Sequence, residues 1–381
     1  MRSVAVGAAL LCCAAAAGAG GPSVAALGRE LFFDASLSVS GRLACATCHD
    51  PHHAYGPPDG RAVQRGGAAL RTMGLRAVPA LRYTLRYTPV WSKQYQASAV
   101  ERVTETDSVP VGGFDWDGRF NSLHDQAASP LLSPLEMGNA SIEAVVSTLR
   151  RAPYAGQFRE LFGARIFADA PAAFGAALQA LERFELDDAS FHPYSSRYDA
   201  FLDGKAMLSA AEVRGLGLFN DPLKGNCSAC HTSTPGADGS HPLFTDFGFA
   251  ALGVPRNGEI PANKDPEYFD MGLCGPLRTD LAARRHWCGL FKTPTLRNAA
   301  TRRVFFHNGR VHTLRDAVRF YAERDRQPER YDDLPVALRG NVDHIDVPLN
   351  RRPGDAPTLS AADIDDLVAF IATLSDADVE Q

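Results

Sequence analysis

The chain has 381 residues, 45% of them hydrophobic and 22% charged, with 44 acidic against 39 basic side chains for a formal charge of −5. That length suits two domains rather than one. A slightly acidic balance gives no reason to expect nucleic acid as a partner.

In chain order, Met1-Arg2 leads into an apolar, alanine-rich stretch to about Leu11, then into small residues from Ala14 to Gly21 that suit signal-peptidase cleavage. Residues 1–21 therefore read as a secretory leader, and a soluble periplasmic protein is expected. The apolar run is too short and weak for a stable membrane span, and Ala9-Leu10-Leu11 before Cys12 is a poor lipoprotein box. Without the leader and its one arginine, the formal charge of −5 becomes −6.

Gly28 to Asp34 reads as an amphipathic helix leading to "LACATCHDPHHAYG", residues 43–56. Within it, Cys45-Ala-Thr-Cys48-His49 has the spacing of a c-type haem attachment, in which both thiols bond to the porphyrin and the histidine ligates iron. Gly215 to Asp221 repeats the helix, and Cys227-Ser-Ala-Cys230-His231 repeats the motif. A zinc ribbon also pairs Cys-x-x-Cys units, but its halves usually lie much closer, and its histidines need not follow the second cysteine at once. Two covalently bound haem c groups are therefore expected, with His49 and His231 as iron ligands. Of eight cysteines, Cys12 and Cys13 fall in the leader and four serve the motifs. Cys274 and Cys288 remain, and an oxidising compartment favours a disulfide between them.

The first half closes with a helix from Ala173 to Leu186, and the second with one from Ala361 to Leu374, where Ile364, Leu367, Val368 and Ile371 recur at helical spacing. The second half opens at Ser209 with Glu212 three residues on, a capping box, and Ser360 with Asp363 offers a weaker version. The expected fold is mainly α: two cytochrome c-like haem domains, 22–200 and 201–381, related by internal duplication. Twenty-five prolines and thirty-three glycines imply much irregular loop.

More than a hundred residues separate the first motif from its closing helix. That insert holds Phe114-Asp-Trp116-Asp-Gly-Arg119, Leu123-His-Asp-Gln126 and Pro130-Leu-Leu-Ser-Pro134-Leu-Glu136-Met137. Here the chain closely resembles the bacterial di-haem cytochrome c peroxidase and MauG superfamily. Phe291 to Asn298, Phe306-His307-Asn308-Gly309 and Leu314 to Tyr321 look like its C-terminal signatures.

The resemblance implies that hydrogen peroxide reacts at the His49 haem, the peroxidatic one, with Glu136 and Gln126 on its distal side and Pro130 shaping the pocket. A carboxyl there can take a proton from peroxide and return it to the leaving oxygen. Trp116 falls in the run that the family places between its haems, so it is expected to relay electrons. Arg119 is left between a haem propionate and an ordinary ion pair.

The second haem is expected to act in electron transfer. Where the peroxidases of this family use a methionine as its further ligand, and MauG a tyrosine, this chain reads Ala317-Val-Arg-Phe320-Tyr321, and it has no methionine beyond Met271. The resemblance thus implies Tyr321 as the ligand, with Met271 as the alternative. An anionic phenolate favours ferric iron, so a low potential is expected. His52 and His53 sit too close to His49 to cross the ring, and no other histidine precedes His124. The distal face is expected to be open without reductive activation. The family's calcium uses an asparagine in an "RN.P" segment; this chain has Arg86-Tyr87-Thr88-Pro89, and the region near Arg302 and Val304 also departs. Calcium stays an open alternative.

The leading expectation is a periplasmic di-haem peroxidase fed by a small electron-donor protein, a cytochrome c or cupredoxin. A MauG-like enzyme that oxidises residues of a protein substrate is the alternative, and a non-enzymatic electron carrier the competing class. Dimerisation is left open.

Overall fold

A computed structural model describes residues 22–93 and 110–380; the expected leader, residues 1–21, lies outside the described residues. The protein is mainly helical. Among the described residues, β structure is limited to isolated bridges and two antiparallel pairs of two-residue strands, Arg65–Gly66 with Thr72–Met73 and Phe249–Ala250 with Phe291–Lys292.

Six helices position the site. They are α1 (Val24–Phe33), α2 (Leu123–Leu132), α3 (Ala170–Asp187), α4 (Ala210–Asn220), α5 (Leu314–Glu323) and α6 (Ala361–Ala372). Each begins at a Ser, Thr or Asp whose side chain accepts a first-turn amide, satisfying donors that the helix itself leaves unpaired. Both expected capping boxes form: the Ser209 amide donates to Glu212 at 2.6 Å and the Ser360 amide to Asp363 at 2.8 Å.

Apolar side chains gather in separate clusters. Leu27, Leu31 and Phe32 of α1 pack with Leu178, Leu181 and Phe184 of α3 in a first core. Phe219 of α4 packs with Leu367, Phe370 and Ile371 of α6 in a second. The two helix crossings have the same form. Gly28 lies against the Ala180 carbonyl while Phe32 meets Phe184 with ring centroids 5.4 Å apart at 60°. Gly215 lies against the Asp366 carbonyl while Phe219 meets Phe370 at 5.2 Å and 66°. Glycine at each crossing lets the backbones touch.

A third cluster surrounds a disulfide between Cys274 and Cys288, with Phe249, Leu273, Leu281 and Trp287. The halves are tied by charge as well. Asp376, past α6, accepts from buried Arg82 at 3.0 Å, from Asn298 at 2.7 Å and from the Tyr83 hydroxyl. No described helix is long and apolar enough to cross a membrane.

Candidate functional site

Cys45–Cys48 forms one helical turn, closed by the His49 amide on the Cys45 carbonyl at 2.9 Å. The His49 ring is then held by its Nδ1, which donates to the Tyr55 carbonyl at 3.0 Å. The second motif is built alike: the His231 amide bonds the Cys227 carbonyl at 2.8 Å and its Nδ1 donates to the Phe244 carbonyl at 3.0 Å. In each ring the hydrogen sits on Nδ1, so Nε2 keeps its lone pair. This is the arrangement by which proteins orient a metal-binding imidazole. Burial pushes both histidines down to about 4, which keeps them neutral and able to ligate at neutral pH.

The cysteines beside them are free of disulfides. Burial raises all four thiols, Cys48 to about 11 and Cys227 and Cys230 to about 12. A pinned neutral histidine next to two protected thiols, twice over, fits haem c at both places.

At the second place a cavity of about 810 Å³ is lined by Cys227, Cys230 and His231 together with Tyr321, Trp116 and His307. That is at the upper end for small-molecule sites. Tyr321, on α5, faces this cavity, and burial holds its phenol well above the usual range. Met271 instead packs against the cluster around the disulfide and is absent from the cavity wall.

On the first side, Glu136 follows α2. Its side chain is solvent-accessible, yet protein surrounds it closely enough to raise its carboxyl above the ordinary range, through burial first and then the nearby charge of Asp115. Its own charge acts on Cys48 and, more weakly, on Cys45, which places it beside the first motif. Gln126 and Pro130 both lie on α2. Gln126 donates from its amide to Asp115 at 3.3 Å. Pro130, with no N–H to give, leaves the Gln126 carbonyl without its helical partner. From α3, buried Glu185 also stands near Cys45, and burial lifts its carboxyl to about 8.

Asp115, within the Phe114 to Arg119 motif, is a junction whose role no short-range pattern marks. It is held at φ +66°, receives Arg119 at 2.5 Å and Gln126, and its carboxyl is raised by burial. Arg119 therefore ends in a carboxylate pair, with Asp115 and at 3.0 Å with the fully buried Asp117. Asp117 continues to Arg76 at 2.7 Å, and Arg76 to Asp270 at 2.7 Å. Asp270 lines the second cavity. Lys292, half-buried, donates to the Gly113 carbonyl at 2.5 Å, and the protein packed around it lowers it to about 8 against the pull of Asp115 and Asp117. This charged chain connects the two candidate sites.

Trp116 runs beside it. Its indole N–H donates to the Ala77 carbonyl at 2.8 Å, the Ala77 amide reaches the His307 carbonyl at 2.7 Å, and its own carbonyl accepts from the Lys292 amide at 2.9 Å. His307 stacks on Phe291 with centroids 3.5 Å apart. The fold thus brings His307, through Ala77, and Lys292, directly, to Trp116.

In the stretch that departs from the family's calcium pattern, the Val304 carbonyl accepts from Arg302 at 3.3 Å. Among the described residues no group of three or more His, Cys, Asp or Glu side chains is placed to hold a metal ion.

Comparison with known proteins places this geometry. Residues 22–207 match the family described as di-haem cytochrome c peroxidase. The methylamine utilization protein MauG of Paracoccus denitrificans is 31% identical over 93% of this chain and 89% of its own length. Cytochrome c551 peroxidase of Pseudomonas aeruginosa is 29% identical over 77% of this chain and 69% of its own. The crystal structure of the diheme peroxidase BthA from Burkholderia thailandensis superposes with a TM-score of 0.83 at 40% identity, over 94% of this chain and 87% of that one.

Proposed function

The chain belongs to the di-haem cytochrome c peroxidase and MauG family, and from that premise we propose that it is a periplasmic oxidoreductase that reduces hydrogen peroxide beside His49. The observation that carries this reading is Glu136, an accessible carboxyl near Cys48 whose pKa is raised by burial.

Cys45, Cys48 and His49 would hold one haem c, and Cys227, Cys230 and His231 the other, each covalently. When bound, haem supplies iron for peroxide to meet and the redox equivalents that split its O–O bond. Glu136 takes the proton from one peroxide oxygen and returns it to the other, so that water leaves rather than hydroxide. Gln126, bonded to Asp115, orients the peroxide, and Pro130 keeps the wall of the pocket rigid. Trp116 relays electrons from the His231 side. A small cytochrome c or cupredoxin is the proposed donor. The matched helix crossings support two haem domains, 22–200 and 201–381, derived from one ancestor.

A second reading is favoured by Tyr321. A tyrosine facing the His231 cavity, with Met271 elsewhere, supports a low-potential second haem and MauG-like oxidation of residues on a partner protein.

The test is rapid mixing of the ferric holoprotein with peroxide, followed by reduced small cytochrome. Peroxide-dependent cytochrome oxidation that collapses in Glu136→Gln is the expected result. A peroxide-responsive protein that oxidises no soluble donor favours the MauG-like reading. Two low-spin haems inert to peroxide would leave only an electron carrier.

A further inference from the structure

A row of tyrosines joins the two histidine loops, and the peroxide chemistry above does not use it. Tyr55, whose carbonyl holds His49, stacks on Phe191 with centroids 4.0 Å apart. The Phe191 carbonyl accepts the Tyr83 amide at 2.7 Å. Tyr83 packs on Tyr194 at 4.9 Å, and its hydroxyl accepts the Tyr194 amide at 3.0 Å. The Tyr87 phenol lies close enough to act on that of Tyr194, and Tyr87 is 42% exposed.

The second loop reaches the same pair. Phe244, whose carbonyl holds His231, lies 5.9 Å from the Arg297 guanidinium, which itself stacks on Tyr83 at 4.5 Å and on Tyr194 at 4.8 Å. Tyr83 and Tyr194 thus stand between both candidate haem loops and open to solvent at Tyr87.

A phenol gives up an electron readily when its proton leaves with it, and the Arg297 charge makes a protonated radical still less favourable here. Both protons have somewhere to go. The Tyr83 hydroxyl donates to the Asp376 carboxylate, and Tyr87 faces water.

We propose that Tyr87 is an exit site for oxidising equivalents, fed through Tyr83 and Tyr194, where a small phenol-class reductant is oxidised one electron at a time. This rests on the peroxide reading above. Reduction of one peroxide to two waters takes two electrons and two protons. In the absence of a donor protein, the Tyr87 phenol passes one electron inward and one proton to water, leaving a phenoxyl radical. A hydrogen atom from the external phenol restores Tyr87, and two such events balance one peroxide.

The ferric holoprotein is treated with peroxide and a nitroso spin trap, its haem absorbance is followed, and the trapped residue is located by peptide mass spectrometry. A trap adduct on Tyr87, lost in both Tyr83→Phe and Tyr194→Phe, is the expected result, with loss of methoxyphenol oxidation in Tyr87→Phe. A haem response with no adduct on Tyr87, or an adduct undiminished in both relay variants, overturns the exit site and leaves the peroxide reading intact. No haem response to peroxide overturns both.

Discussion

Gly28 lies so close to Ala180 that a Cβ on the glycine would stand 1.8 Å from the Ala180 carbonyl oxygen; the corresponding approach of Gly215 to Asp366 is 2.0 Å. Both obstacles are backbone and cannot rotate away. Gly28→Ala and Gly215→Ala are each expected to destabilise the protein by about 3 kcal/mol or more. Gly217, two residues further along the same helix with open space around it, is the control: its alanine variant should gain about 1 kcal/mol from helix propensity. Thermal unfolding of the three holoproteins checks this, and equal melting temperatures would disprove it.

Removing the Glu136 carboxyl should cost roughly 10²–10⁴-fold in the rate of peroxide reaction. A base works only when deprotonated, so the wild-type rate should fall with acid through a midpoint above the ordinary carboxylate range, where burial and Asp115 hold this group. Glu136→Gln should lose that step while keeping both haem spectra. Stopped-flow absorbance between pH 4 and 8 reads both effects.

Tyr321→Met should raise the midpoint potential of the His231 haem, because a thioether favours ferrous iron where a phenolate favours ferric. Spectroelectrochemical titration measures it directly. An unchanged potential would remove Tyr321 from the iron.

Glu185 bears on stability. Burial lifts it to about 8, so the folded protein holds this proton more tightly than the unfolded chain does. Its contribution is fully present below the ordinary glutamate pKa and is lost as pH rises through about 8. Glu185→Gln cannot ionise, so its urea midpoint should overtake that of wild type between pH 6 and 9. The difference should be on the order of a few kcal/mol.

What could be read without a structure was whatever a short stretch of chain decides by itself. Ser209 and Glu212 cap a helix three residues apart, and Cys45, Cys48 and His49 converge within one turn, so both were legible. Asp115 was not. Its meaning comes from Arg119, Gln126 and the buried Asp117–Arg76–Asp270 chain, whose members lie up to 194 residues apart. Motif comparison favoured Tyr321 over Met271, but that Tyr321 lines the His231 cavity while Met271 packs against the disulfide cluster rests on contacts between distant segments. Arg119 was left between a propionate and an ion pair, and its carboxylate partners Asp115 and Asp117 are given only by the fold.

The bond between Arg82 and Asp376 also says something about assembly. Arg82 is 2% exposed, and the carboxylates that neutralise it, Asp376 and Asp378, stand 294 and 296 residues further along the chain. A polypeptide made from its N-terminus therefore carries a cation whose native surroundings stay incomplete until that distant segment has been added. Copies that lack residues 376–378 are left with that guanidinium uncompensated, a cost of about 3–5 kcal/mol. The Arg82 side of the fold thus closes only after residues 376–378 have joined it.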